Sequence, residues 1–453
     1  MNEQKQRGDE AAPMPAKPRR RSAAARTAPR PVFVVDGART PFLKARLGPG
    51  PFRASDLAVH AGRALLARQP FAPTAFDEVI LGAVMSGPEE ANIARVVALR
   101  LACGDRVPAW TVQRNCASGM QALDSAAQAI ASGRADLVLA GGVEAMSHAP
   151  VLLDTTMVRW LGAWSAARST RERVRLIGRL RPGHFKPVIA LVLGLTDPVV
   201  GLSMGQTAEI ISRRYGISRA DMDNFAVRSH QRLARAQNEG RLEEVVTLIA
   251  DDGTVYDHDD GVRPDSSLDK LARLTPFFDR EFGNVTAGNS SQITDGAALL
   301  ILASEEAVNR HGLAVLGRLR DTAWAGLDPR QMGFGPVHAT APLLARSDLA
   351  LDAIDYWEIN EAFAGQVLAC LRAFADPDYC RTELGLPGAM GTIDPEQLNV
   401  DGGAIALGHP VGSSGARIVL HVLKVLEQRQ AQRGIAAICI GGGQGGAMLV
   451  ERP

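Results

Sequence analysis

Surplus charge is almost absent from this chain: 50 Lys/Arg meet 49 Asp/Glu, leaving a net charge of +1. Electrostatics therefore give no reason to invoke a nucleic-acid partner. Cysteines are few, at positions 103, 116, 370, 380 and 439, and they form neither a C-x-x-C pair nor a disulfide framework. That excludes a disulfide-stapled module and leaves no metal-ligand spacing, so no metal is expected. A reducing, cytoplasmic setting, where a thiol stays reactive, is the expectation. Long apolar runs are also lacking; none approaches the roughly 20 residues that cross a bilayer as a helix.

What the chain does have is length and glycine. Its 453 residues are 46% hydrophobic and include 45 glycines, enough for a large core and more than one folded unit. Residues 1–30 differ, with 8 Lys/Arg against 3 Asp/Glu and little to bury. They read as a disordered basic tail. Glu3, Asp9 and Glu10 argue against a transit peptide.

Folded sequence is expected from Val32 onward. Short β-branched or leucine-rich runs alternate with alanine-rich helical stretches to about Pro150. One strand is predicted over 135–140 and ended by Gly141-Gly142; a helix is predicted over 119–130, with Met120, Leu123, Ala127 and Ile130 at helical spacing. The second half follows suit, with a helix over 415–426 and a strand over 435–440. This grammar predicts an α/β fold with parallel sheets covered by helices. Gly141-Gly142-Val143-Glu144-Ala145-Met146 and Gly443-Gln444-Gly445-Gly446-Ala447-Met448 read as a weak internal repeat, chance likeness of glycine-rich turns being the alternative. Between the halves, Arg159 to Lys186 carries eight Arg/Lys and only Glu172 as an acid. An apolar run, Val188 to Leu195, follows. Such a segment suits a phosphate, an anionic lipid surface or a partner subunit; an ordinary solvated face suits it equally.

Four places carry candidate chemistry. Cys116, in Gln113-Arg114-Asn115-Cys116-Ala117-Ser118-Gly119, stands where an extended segment enters a helix, and a helix start favours thiolate over thiol. His409, in Ala406-Leu407-Gly408-His409-Pro410, precedes the matching helix of the second half and is the base candidate. Cys439 reads first as a buried strand-end thiol; the glycines after it lack the ending of a nucleotide loop. Asn360, in Asn360-Glu361-Ala362-Phe363, reads as a polar site residue or as a helix cap.

Together with Val35-Asp36-Gly37-Ala38-Arg39-Thr40-Pro41-Phe42, Met204-Gly205-Gln206-Thr207-Ala208-Glu209 and Asn284-Val285-Thr286-Ala287-Gly288-Asn289-Ser290-Ser291, these segments resemble the thiolase family from Val35 to Val450. The resemblance implies duplicated α/β halves in an α-β-α-β-α layered core. One half spans 31–152 and is completed by about 283–304; the other spans 305–453, and a loop domain that binds CoA is inserted over 153–282. It implies that Cys116 takes the acyl group, His409 activates it, and Cys439 moves a proton at the α-carbon of acetyl-CoA. It also implies two oxyanion sites, one from His409 and a water held by Asn360, the other from the backbone N–H groups of Cys116 and Gly441.

Arg263, Phe278 and Ser291 match positions used for the nucleotide, the pantetheine channel or its edge. Phe363 matches a residue lining the reaction centre, and Met204 joins the substrate-binding set. CoA and acyl-CoA are then substrates, with no permanently bound cofactor. A homodimer or homotetramer is implied, with active sites near the subunit interface.

Subtype signals are mixed. Ser203 stands where short-chain members carry histidine, and the 159–195 insertion resembles that of thiolases in fatty-acid oxidation complexes, as do Gln366 and Leu368. Yet that branch carries histidine where this chain has Asn360. The expectation is an acetyl-CoA C-acyltransferase cleaving medium or longer 3-oxoacyl-CoA, with a fatty-acid oxidation partner or a membrane surface met through 159–195. The alternatives are an acetyl-CoA C-acetyltransferase making acetoacetyl-CoA, a ketosynthase, and a noncatalytic CoA-binding or scaffold subunit.

Overall fold

The computed structural model describes residues 29–46 and 48–453; the basic tail expected over 1–30 lies, up to residue 28, outside the described residues. Arg30 is already anchored. Its guanidinium donates to Asp136 Oδ1 at 2.9 Å and to Ala135 O at 2.7 Å, so packing on the core includes a residue two positions ahead of the first strand.

One ten-stranded sheet runs through the molecule: nine strands lie along its path, and the tenth, Leu43–Lys44, pairs off that path with Thr294 and Asp295. Its first half orders the strands Ala109–Val112, Glu78–Gly82, Leu137–Ala145, Thr294–Ala303 and Val32–Arg39. The second orders Tyr356–Ile359, Arg433–Ile440, Gln444–Glu451 and Gly317–Gly326. A parallel bridge from Trp357 to Leu398 supplies the place of a fifth strand. The halves have the same order and the same strand directions, and they join where Val32, Phe33 and Val34 pair antiparallel with Leu319, Arg318 and Gly317.

Three buried clusters account for the layering. The helices Ser118–Ala131 and Val411–Arg429 lie together between the half-sheets. Ala54–Leu66 and Ile93–Arg100 cover the outer face of the first half. Gly335–Ser347 and Ala364–Ala375 cover the second. The result is the α-β-α-β-α stack.

Three sequence expectations change. The sheet is mixed rather than parallel: strands joined through a helix run parallel, whereas Gln444–Glu451 follows a tight glycine turn and must run back antiparallel to Arg433–Ile440. The strand Leu137–Ala145 does not end at Gly141-Gly142; both glycines are extended inside it and leave room for neighbouring backbone. And the 141–146 and 443–448 passages are not equivalent, because by sheet order Leu137–Ala145 matches Arg433–Ile440. The duplication lies in the topology, not in those glycine turns.

The inserted region has two parts. Met204–Arg214 and Arg219–Asn238 pack on the second half, and Ile211, Met222 and Phe225 enter its core. The hairpin of Val151–Leu153 and Pro187–Ile189 brackets a separate helical pair, Thr155–Ala166 and Thr170–Ile177.

The central helices approach at their N-termini through glycines. A Cβ on Gly142 would stand 2.0 Å from Gly412 O and 2.9 Å from the Gly119 Cα. Gly142→Ala is therefore expected to cost about 3 kcal/mol through overpacking, read as a lower denaturation midpoint and a smaller yield of folded protein.

Candidate functional site

Three of the four chemistry-bearing residues, Cys116, Asn360 and His409, lie in loops, while Cys439 sits at the end of the strand Arg433–Ile440. Asn115 sits at φ +43, a left-handed conformation that asparagine tolerates better than most side chains. Its Nδ2 donates to Gly441 O at 2.8 Å, while Ser118 Oγ donates to Asn115 O at 2.7 Å and accepts from Arg114 N at 2.8 Å. The turn carrying Cys116 is thus tied both to its own helix and to the Gly441 loop. Positive φ angles at Gly442 (91°) and Gly443 (75°) reverse that loop, and a Cβ on Gly443 would meet Leu327 O at 2.3 Å.

Cys116 is partly exposed and Cys439 is buried. Burial raises the Cys116 pKa; the N–H groups of Gly441 and of Cys116 itself oppose that, and Glu144 adds to it. Burial, with Cys116 and Cys370 nearby, holds Cys439 well above the usual thiol range. The helix start therefore does not make Cys116 a resting thiolate, as its sequence setting suggests. Ala117, not Cys116, is the N-cap residue, and desolvation outweighs the dipole.

His409 is buried, and burial together with the charge of Arg417 lowers its pKa to about 4. Its backbone N–H donates to Gln292 O at 3.0 Å. Ser414 Oγ donates to Pro410 O at 3.1 Å and lies 2.6 Å from His409 Nδ1, so Nδ1 carries the proton and Nε2 is the free base. Asn360 Nδ2 faces that Nε2 at 3.5 Å, the long limit of a hydrogen bond. Asn360 is not a helix cap: the helix begins at Ala364 with Phe363 as its N-cap residue, and the Asn360 side chain is buried against His409.

Ser414 was not legible as a site residue, and neither were two buried carboxylates. Glu144 accepts from Val84 N, Met85 N and Gly412 N, at 2.9, 3.0 and 3.1 Å, and so fixes the start of the His409 helix to the first half. Burial raises its pKa to about 7. Glu361, beside Asn360, accepts from Ser229 Oγ at 2.6 Å and Asn399 Nδ2 at 2.9 Å. Both acids sit inside quoted motifs, but nothing local marks their distant partners. Ser414→Ala is expected to lower kcat about ten-fold by releasing the His409 tautomer, with a smaller change in KM; Ser414→Thr should restore most of it in steady-state assays.

A cleft of about 530 Å³ leads to His409 and is lined by Met204, Phe278, Ser291 and Phe363 among others. Phe278 and Phe363 meet edge to face at 6.1 Å, and Phe278 covers Gly205, where a Cβ would stand 2.2 Å from the ring. Met204 opens its helix after a capping box from Ser203 to Gln206, and its sulfur lies against Gly441. Arg263 is not in this cleft. It lines a neighbouring one of about 630 Å³ with Lys44 and Arg46. The two share a wall, since Gln292 Nε2 donates to Gly261 O at 2.8 Å and Ala45 N donates to Ile293 O at 2.9 Å.

Comparison with known proteins decides what this arrangement belongs to. Residues 32–306 match the family model for the thiolase N-terminal domain, and residues 313–452 match the model for the thiolase C-terminal domain. The chain belongs to the thiolase family. It is 43% identical over 429 residues to a β-ketoadipyl-CoA thiolase of Pseudomonas aeruginosa, covering 93% of this chain and 99% of that one. It is 38% identical over 423 residues to a 3-ketoacyl-CoA thiolase of Yersinia enterocolitica, covering 93% and 96%. The solved human mitochondrial 3-ketoacyl-CoA thiolase in complex with CoA is similar at a TM-score of 0.80 and 36% identity, covering 94% of this chain and 98% of that one. This thiolase is thus an acyl-CoA acyltransferase of thiolytic cleavage and the reverse condensation.

Proposed function

We propose that this thiolase cleaves medium or longer 3-oxoacyl-CoA through an acyl group carried on Cys116. The carrying observation is the buried His409 imidazole, with Nδ1 against Ser414 Oγ and Nε2 facing Asn360, lining a largely apolar cleft. His409 takes the Cys116 proton as the sulfur attacks the C3 carbonyl. The backbone N–H groups of Cys116 and Gly441 receive the tetrahedral oxyanion, a contribution of about 3 kcal/mol per aimed donor. The C2–C3 bond then breaks, its electron pair passes into the enolate of acetyl-CoA, and the Cys439 thiol protonates C2. A raised pKa suits Cys439 to that acid role. Incoming CoA gives its thiol proton to the Cys439 thiolate and its sulfur takes the acyl group, while the departing Cys116 sulfur regains its proton from His409.

Asn360 Oδ1 meets no partner among the described residues. A buried acceptor left so costs about 1–3 kcal/mol, which supports a water or the substrate's enolate region beside it. Lys44, Arg46 and Arg263 support a reading in which the CoA nucleotide lies over the neighbouring cleft, its phosphates meeting those cations. The proposed setting is cytoplasmic, where buried thiols such as Cys370 and Cys380 stay reduced, and the proposed assembly is a homodimer or homotetramer.

A second reading follows from the Pseudomonas relative, whose named substrate ends in a carboxylate. Among the described residues no lysine or arginine lines the cleft at His409, which favours a neutral acyl tail. Thiolysis of a 3-oxoacyl-CoA series with 3-oxoadipyl-CoA included is the test. Specificity (kcat/KM) should rise with aliphatic length; a strong preference for acetoacetyl-CoA, or for the dicarboxylic substrate, overturns the chain-length reading.

A further inference from the structure

The helical pair inside the inserted hairpin is built unlike the rest of the molecule. Thr155–Ala166 packs chiefly on Thr170–Ile177 and on the turn Pro182–Phe185, not on the layered core. Trp160 Nε1 donates to Leu176 O at 2.8 Å, and Trp160 stacks on Trp164 with ring centroids 5.3 Å apart. The pair is therefore a self-supported projection. More than half of the large apolar side chains exposed among the described residues fall within 151–199, including Val151, Val158, Val174, Ile177 and Phe185. Exposed apolar surface at this density marks a surface that is covered in use.

Charge says what covers it. Between Arg159 and Lys186 the eight cations have one acid for company, and that acid, Glu172, is engaged in the cap of its own helix, accepting from Arg168 N and Ser169 N. Among the described residues none of the eight has a carboxylate within salt-bridge distance. Docking a second copy face to face would set like charges against each other, so self-association does not fit. A surface with apolar depth and dense negative charge does.

We propose that the 151–199 projection docks the enzyme on an anionic lipid surface. The same segment supplies Leu191, Val192 and Leu195 to the cleft at His409, so the substrate channel opens beside the docked face and a lipophilic acyl-CoA reaches it from the bilayer interface. That consequence for delivery rests on the acyl reading above; the docking does not.

Sedimentation of the full chain with phosphatidylcholine vesicles, with and without phosphatidylglycerol, tests the proposal. Binding is expected only to the anionic vesicles and should weaken with salt. Arg171→Glu/Arg173→Glu/Arg175→Glu is expected to lower the partition coefficient roughly a hundred-fold, while thiolysis of a water-soluble 3-oxoacyl-CoA persists. The basic tail is the same in both proteins, so the difference reads the projection. Should that variant misfold, Val174→Ser/Ile177→Ser on the same exposed helix replaces it, with a loss of vesicle binding expected. Indifference of the wild type to anionic vesicles, equal binding by folded variants, or coverage of the segment by an acidic protein in place of lipid each overturns the proposal. Loss of thiolysis in the wild type would instead fail the functional reading and leave the docking result standing.

Discussion

Cys116→Ala is expected to abolish the acyl-enzyme and to lower thiolysis by at least about ten-thousand-fold, the order of loss that follows removal of a covalent nucleophile. Intact mass after incubation with an acyl-CoA reads the first effect directly, and steady-state assays read the second. The contrast with Cys439→Ser carries the mechanistic weight. That variant keeps Cys116, His409 and the Gly441 loop, so it should still take an acyl group from a simple acyl-CoA. It should fail at carbon–carbon cleavage, which needs the proton at C2. Retention of cleavage by Cys439→Ser would remove Cys439 from the acid role; an adduct on the Cys116→Ala protein would remove Cys116 from the covalent one. Because His409 is held near pKa 4, the acid limb of kcat/KM should fall well below the ordinary histidine range.

The second large effect is on stability. Arg417 and Glu358 form a buried pair at 2.8 Å, each 2% exposed. His421 extends it, with Nδ1 at 2.9 Å from Glu244 Oε1 and Nε2 at 3.5 Å from Asp401 Oδ2, and Glu244 in turn faces Arg39 at 3.6 Å. Removing one partner of such a pair strands a buried charge, so Arg417→Met is expected to cost about 3–5 kcal/mol in chemical denaturation. Adding Glu358→Gln should recover much of that loss; a double variant no better than the single one would contradict the charge explanation. The variant has a catalytic signature too, since relief of the Arg417 charge should move the His409 pKa upward.

The same cluster gives a pH dependence. Burial alone would lower the His421 pKa, but Glu244, Asp401 and Glu358 outweigh it and raise it to about 10. A folded-state pKa above the unfolded value of 6.5 means the stabilisation is complete below that value and is lost as pH rises toward about 10. The wild-type denaturation midpoint should therefore fall between neutral and strongly alkaline pH, and His421→Ala should flatten that slope.

Motif chemistry singled out Cys116, His409, Cys439 and Asn360 because each stands in a short segment with its own turn residues. Periodicity likewise exposed the two central helices, although it placed the second to begin at 415 where the structure begins it at Val411. Strand direction was not legible, because alternation reports a strand and not its neighbour. Nor was the resting state of Cys116 legible: the helix start is local, whereas the burial and the Glu144 charge that oppose it come from elsewhere in the chain. Glu144 itself reaches Gly412 across 268 residues, and no spacing rule spans such a distance. Arg263 was assigned to CoA by resemblance, and the structure sets it in the neighbouring cleft with Lys44 and Arg46, two cations that the resemblance did not single out.

The matching strand order of the two halves has an evolutionary consequence. Asn360, His409 and the Cys439–Gly441 turn all follow strand positions of the second copy. At the matching positions of the first copy, only the Cys116 turn carries proposed chemistry, while Val84 and Met85 hold Glu144, which accepts from Gly412 N in the helix that follows His409. After duplication, one copy could lose the duty of chemistry at most of its loop ends and keep that of support. The groups proposed for proton transfer then lie mainly in the second copy, while the acyl-carrying turn and most of the cleft lining belong to the first copy and its insertion.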